Sequence, residues 1–268
     1  MKWAVSMPNM ADPATIVSLA VLAEEVGYDG VFLWDHVVYG DFSELPMFDP
    51  WVLLGAITQA TSRVRLGTLV TPVSRRRPWR VAQEVVTLDH LSGGRAVLGV
   101  GLGWPPEEEF ERFGERSDDV LRAEMLDEGL DLINALWSAE HVRHDGDHYN
   151  VDATMRPAPV QQPRVPVWVA GFWPGTRPFE RAARWDGVCP LKKVAEMTEV
   201  PLLRPSELAE CVAYVRARRD TTAPFDVVVS AHWEHTPEEY ADAGATWLIT
   251  GTSLEPTWPE DLRRRLTA

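Results

Sequence analysis

The stretch TLDHLSGGRAVLGVGLGW, residues 87–104, decides how the rest of the chain is read. Leu88 and Leu91 close a helix, and Ser92, Gly93 and Gly94 supply a turn. Ala96 to Val100 then form a continuous apolar run, the pattern of a strand covered on both faces. Gly99, Gly101 and Gly103 punctuate its end. Without a Cβ, glycine lets a backbone approach a flat or anionic group closely. Helix, turn and strand with a glycine-rich exit make half of a βαβ repeat, so the fold depends on how often the chain repeats it.

Working outward, the repeat recurs along the whole chain. Strands are predicted at Lys2–Met7, Gly30–Trp34, Val64–Val70, Val167–Ala170, Gly187–Cys189, Phe225–Ser230 and Thr246–Ile249. Helices are predicted after each, starting near Pro13, Asp49, Pro78, Asp118, Arg177, Pro205, Pro237 and Pro259, several with proline in the first turn. His141 to Pro166 breaks the alternation; it is polar, β-like around His148–Val151, then rich in proline and glutamine, and reads as an insertion before the fifth strand. Eight successive βα units in 268 residues define a (β/α)8 TIM barrel, here taken as one domain over residues 1–268. A doubly wound sheet is the lesser alternative. In a barrel, chemistry belongs at the C-terminal ends of the strands.

Composition narrows the function. With 26 Lys and Arg against 40 Asp and Glu, the net charge of −14 opposes binding to nucleic acid or an anionic membrane and favours a small-molecule ligand. MKWAVSMPNM carries no signal-length apolar run, and no 18 uncharged apolar residues follow one another, so a cytoplasmic protein is expected. Cys189 and Cys211 are read as buried thiols. Twelve tryptophans point to an apolar pocket or an oligomer interface besides the core.

The strand ends supply the candidates. Asp35 and His36 leave the second strand; their alternation sends one into the barrel mouth and leaves the other in support. His36 can move a proton near neutral pH, tuned by a carboxylate. Thr68, Leu69 and Val70 end the third strand, followed by Arg75, Arg76 and Arg77, which await either an anionic ligand or the acidic loops of the protein itself. Gly101, Leu102, Gly103 and Trp104 leave the fourth strand, and Ala170, Gly171, Phe172 and Trp173 the fifth; small residues followed by an aromatic can admit a planar ring. Gly251, Thr252 and Ser253 compete as a phosphate site. The histidines at 141, 144 and 148 fit no metal-ligand motif, and Glu107, Glu108, Glu109 and Glu111 read as a solvated helix start.

Four stretches together resemble the luciferase-like monooxygenase superfamily: GYDGVFLWDHV (27–37), RLGTLVTPV with the arginines and Pro78 (65–78), residues 87–104, and PAPVQQPRVPVWVAG (157–171). The resemblance covers nearly the whole chain. It implies a barrel that binds coenzyme F420, or alternatively reduced FMN, at its C-terminal mouth. It also implies a non-prolyl cis peptide near Leu69 and Val70 and the cofactor phosphate at Gly171, Phe172 and Trp173. The WDH motif is most similar to the F420 branch, in which Asp35 and His36 would face the deazaflavin and substrate, and Arg75 would suit the cofactor's phosphate and acidic tail. Sugar-phosphate dehydrogenases of that branch carry a glutamate where this chain has Trp104, which speaks against glucose-6-phosphate and for an apolar or aromatic substrate. The implied reaction is hydride transfer, with His36 as proton donor or acceptor, Asp35 orienting it and Trp104 against the substrate. Two alternatives stand beside it: an O2-dependent monooxygenase supplied by a separate flavin reductase, and a non-catalytic cofactor carrier. Family resemblance also implies a homodimer.

Overall fold

The computed structural model describes residues 1–40, 45–193, 202–231, 234–252 and 255–268. In chain order the strands are β1 (Lys2–Met7), β2 (Gly30–Leu33), β3 (Arg65–Pro72), β4 (Ala96–Gly101), β5 (His141–Asp145), β6 (Asn150–Thr154), β7 (Val167–Trp173), β8 (Gly187–Lys192), β9 (Asp226–Ser230) and β10 (Trp247–Thr250). All but β5 and β6 pair in parallel and close a barrel in the order β1-β10-β9-β8-β7-β4-β3-β2. The predicted insertion is there: β5 and β6 form an antiparallel hairpin outside the barrel, between β4 and β7.

Helices α1 (Pro13–Glu25), α2 (Pro50–Ala60), α3 (Pro78–Ser92), α5 (Asp119–Leu136), α6 (Arg177–Ala183), α7 (Pro205–Arg216), α8 (Pro237–Asp242) and α9 (Trp258–Thr267) surround it, with the one-turn α4 (Pro106–Glu109) in the loop after β4. Their starts follow the sequence signals. Asp12, Asp49 and Asp118 accept backbone N–H groups that the first turns of α1, α2 and α5 would otherwise leave unpaired. Gly93, with φ 65°, ends α3 in the left-handed conformation that disfavours a side chain.

Strand alternation divides the apolar side chains into two cores. Val5, Leu33, Leu98, Val169 and Leu248 pack outward under the helices. Their neighbours Ala4, Phe32, Val97, Trp168 and Trp247 point inward and fill the barrel, where Leu69 and Ala170 pack on top of them. The barrel is therefore plugged. At its N-terminal end the indole N–H groups of Trp168 and Trp247 donate to Asp226, at 3.2 and 2.9 Å. No helix among the described residues is long and apolar enough to cross a membrane.

Candidate active site

The C-terminal mouth lies above that plug. Along β7 the residues pass from fully buried Trp168 to half-buried Ala170, Gly171, Phe172 and Trp173, and along β3 from buried Thr68 to half-buried Leu69 and Val70. The peptide between Leu69 and Val70 is cis, at a register irregularity between β3 and β4. Leu102 and Gly103 at the exit of β4 are also half-buried, and Trp104 is 39% exposed at the rim.

Asp35 and His36 follow the end of β2, and their partners differ from the expected pair. Asp35 is 3% exposed. Thr71 Oγ1 donates to it at 2.7 Å, Arg75 Nη2 at 2.6 Å and Arg76 Nη2 at 3.0 Å. Thr68 stands 2.9 Å from Thr71 in the same buried group. Asp35 therefore does not orient the imidazole. His36 Nδ1 instead lies 3.0 Å from Glu109 Oε1, which also accepts the Val37 amide at 3.2 Å. Asn9 Nδ2 holds the His36 carbonyl at 2.8 Å, and the rings of Trp34 and Tyr39 stand 5.8 and 4.6 Å from the imidazole.

Two expectations change here. Glu109 is not a solvated helix residue; it is 1% exposed and ion-paired with Arg75. Its neighbour Glu108 accepts the amide of Gly40, so α4 is clamped through two carboxylates onto residues 36–40. Arg75, in turn, is committed to Asp35 and Glu109 with a side chain only 8% exposed. It meets the protein's own acidic groups and is not free to meet a cofactor phosphate, and Arg76 likewise pairs with Asp35, Asp49 and Glu84. Arg77, by contrast, is exposed.

The glycines at the strand exits also make room for the chain itself. A Cβ on Gly101 would stand 2.8 Å from Val70 Cγ2, and one on Gly171 only 2.2 Å from Pro178 Cβ. Gly103 has φ 85° and lies under Phe110. A residue the sequence did not single out, Arg122, fixes this loop. It is 2% exposed, donates to the carbonyls of Leu102 and Gly103 at 2.8 Å each, and stacks on Phe110 at 4.6 Å. Ser253, read as part of a second phosphate candidate, lies outside the described residues.

Electrostatics favour a neutral imidazole. Burial, and then the positive charge of Arg75, pull the His36 pKa down from 6.5 to about 4, against the opposing pull of Asp35 and Glu108. Two polar atoms at neighbouring strand ends, Asn9 Oδ1 and Thr252 Oγ1, are buried with no hydrogen-bond partner among the described residues. Buried acceptors and hydroxyls of this kind are ordinarily satisfied, so their place beside the mouth fits a polar ligand. A half-buried apolar rim above a closed floor fits a planar one.

Fold and geometry define a closed parallel (β/α)8 barrel with a half-buried histidine, paired to a buried carboxylate, at the exit of β2. The chain belongs to the luciferase-like monooxygenase family, which it matches over residues 2–256. It is 34% identical over 238 residues to the F420-dependent glucose-6-phosphate dehydrogenase of Microbacterium testaceum, a match covering 83% of this chain and 66% of that protein. Across that and two further dehydrogenases of the same name, it spans about half to two thirds of their lengths, 48–66%. Among solved structures, the coenzyme F420-dependent tetrahydromethanopterin reductase of Methanopyrus kandleri superposes with a TM-score of 0.77 at 16% identity, covering 97% of this chain and 96% of the other. An F420-dependent secondary alcohol dehydrogenase in complex with an F420-acetone adduct gives 0.76 at 19% identity, covering 99% and 97%. At these identities the likeness is one of fold.

Proposed function

We propose that this barrel, acting as one domain over residues 1–268, is a coenzyme F420-dependent oxidoreductase that moves a hydride to or from a small apolar or aromatic substrate. The observation that carries this reading is His36: a neutral imidazole at the mouth, held at Nδ1 by a buried carboxylate and directed by its other nitrogen. The names of the relatives support the cofactor. When bound, the deazaflavin supplies a two-electron acceptor or donor of hydride.

The chain's own part is binding and proton transfer. Leu69, Val70, Ala170 and Gly171, with Gly101, Leu102, Gly103, Phe172 and Trp173, are the residues that would hold the cofactor ring. Thr68 and Asp35 act from beneath, by fixing the strand ends, and Arg75 acts through them. In the oxidative direction an alcohol O–H gives its proton to His36 Nε2 as the carbon-bound hydrogen leaves with its electron pair; in the reductive direction the proton returns. Trp104, exposed just after the exit of β4, offers the substrate an apolar wall. Arg75, Arg76 and Lys192 are each already paired with carboxylates, which favours an uncharged substrate over a sugar phosphate. A homodimer, and a reductase that renews the cofactor, complete the reading.

Titration of the purified protein with F420 and with FMN in both redox states, followed by cofactor fluorescence, tests it. Selective binding of F420 at micromolar concentration or below, with anaerobic turnover of an apolar alcohol or carbonyl, is the expected result. Selective binding of reduced FMN with turnover dependent on O2 would overturn it in favour of monooxygenation, and binding without turnover would mark a carrier.

A further inference from the structure

Glu109 reaches His36 from a place in the chain that has no strand to hold it. It ends α4, the single helical turn in the loop after β4, yet its carboxylate is 1% exposed and has three donors around it. Oε1 faces His36 Nδ1 at 3.0 Å and the Val37 amide at 3.2 Å, while Oε2 pairs with Arg75. Arg75 is itself anchored on the Asp35 carboxylate and carbonyl, at 2.6 and 2.7 Å.

This arrangement decides which atom carries the imidazole proton. An amide N–H and a guanidinium can only donate, so they hold Glu109 in its ionised, acceptor form. The hydrogen between it and His36 then belongs to Nδ1, and the lone pair is left on Nε2. We propose that Glu109 is the positioning residue for His36, locking the imidazole as its Nδ1–H tautomer so that Nε2 is the proton-accepting atom. The catalytic half of this statement rests on the hydride-transfer reading above; the tautomer does not. Among the described residues, the other ionisable groups near the ring are Asp35, Arg75, Glu108 and Tyr39, and none of these is hydrogen-bonded to Nδ1.

Histidine side-chain 15N shifts, measured on the unliganded wild-type protein at pH 7 with His36 assigned by its loss in His36→Gln, read the tautomer directly. The expected wild-type spectrum has a protonated Nδ1 and an unprotonated Nε2. Glu109→Gln, whose amide can accept or donate, should give a mixture of tautomers, and with F420 present its kcat should fall roughly 10²- to 10⁴-fold with KM little changed. Glu109→Asp keeps the charge and should recover part of both. A wild-type spectrum showing Nε2–H, or a Glu109→Gln spectrum unchanged from it, overturns the proposal whether or not that variant is fully stable, because the first result needs no variant. Absence of F420-dependent turnover in the wild type, with the Nδ1–H tautomer present and lost in Glu109→Gln, would instead refute only the hydride-transfer reading.

Discussion

His36 shows how far a residue's chemistry depends on neighbours that are distant in sequence. An exposed histidine would be partly charged at pH 6.5; this one is held neutral down to about pH 4 because burial and Arg75 both oppose its cation. If it accepts the substrate proton, His36→Gln should lower kcat by roughly 10²- to 10⁴-fold while leaving F420 affinity unchanged. Normal turnover in a folded variant would remove the role. The same residue should mark the stability curve. Its folded pKa lies below its unfolded value, so the unfolded chain takes up the proton first as pH falls, and stability is lost between about pH 6.5 and 4. Between pH 7 and 5.5 the wild type should lose about 1 kcal/mol more than His36→Gln in urea unfolding. Parallel curves for the two proteins would show that the group titrates normally.

At the scale of elements, the loop after β4 carries both Glu109 and Trp104, and it is built from two sides. Glu108 and Glu109 tie α4 down onto the exit of β2, and Arg122 reaches up from α5 to its first carbonyls and to that of Ser117, at 3.0 Å. Removing Arg122 leaves three backbone acceptors without their partner. Arg122→Met should therefore cost about 2–3 kcal/mol and raise hydrogen exchange in residues 104–117 above that of the barrel strands. Exchange unchanged in that segment would mean that α4 holds the loop without it. The loop's acidic run was legible as a helix start, and its helical turn is present. Its inward-facing glutamate was not legible, because Glu107, Glu108 and Glu109 are consecutive and chemically alike. Only the positions of His36 and Arg75 distinguish one of them.

Across the whole molecule, the two ends of the barrel divide the work. The mouth carries half-buried residues and polar groups without partners among the described residues; the opposite end is closed by Trp168, Trp247 and Asp226, far from the proposed chemistry. Conserving stability at one end and chemistry at the other is the usual division in this fold. Asp226→Ala would leave two buried indole N–H groups without an acceptor. It should lower unfolding free energy by about 2–4 kcal/mol with kcat unchanged at temperatures where the variant is folded. A fall in kcat proportionate to the loss of stability would show that the two ends are coupled.

What the sequence determined by itself was everything carried by local periodicity and local caps. Apolar runs such as Ala96–Val100, aspartates and prolines at helix starts, and a polar interruption after α5 together specify eight βα units, a closed barrel and a hairpin outside it. The strand pattern was enough to place Asp35 and His36 at the exit of β2. The tertiary structure alone decided what each then meets. Asp35 lies with Arg75 and Arg76, forty positions on, and His36 lies with Glu109, seventy-three positions on. The physical reason is that periodicity reports which face of an element is covered, whereas a hydrogen bond depends on ångström-scale distances between loops, which closure of the barrel brings together.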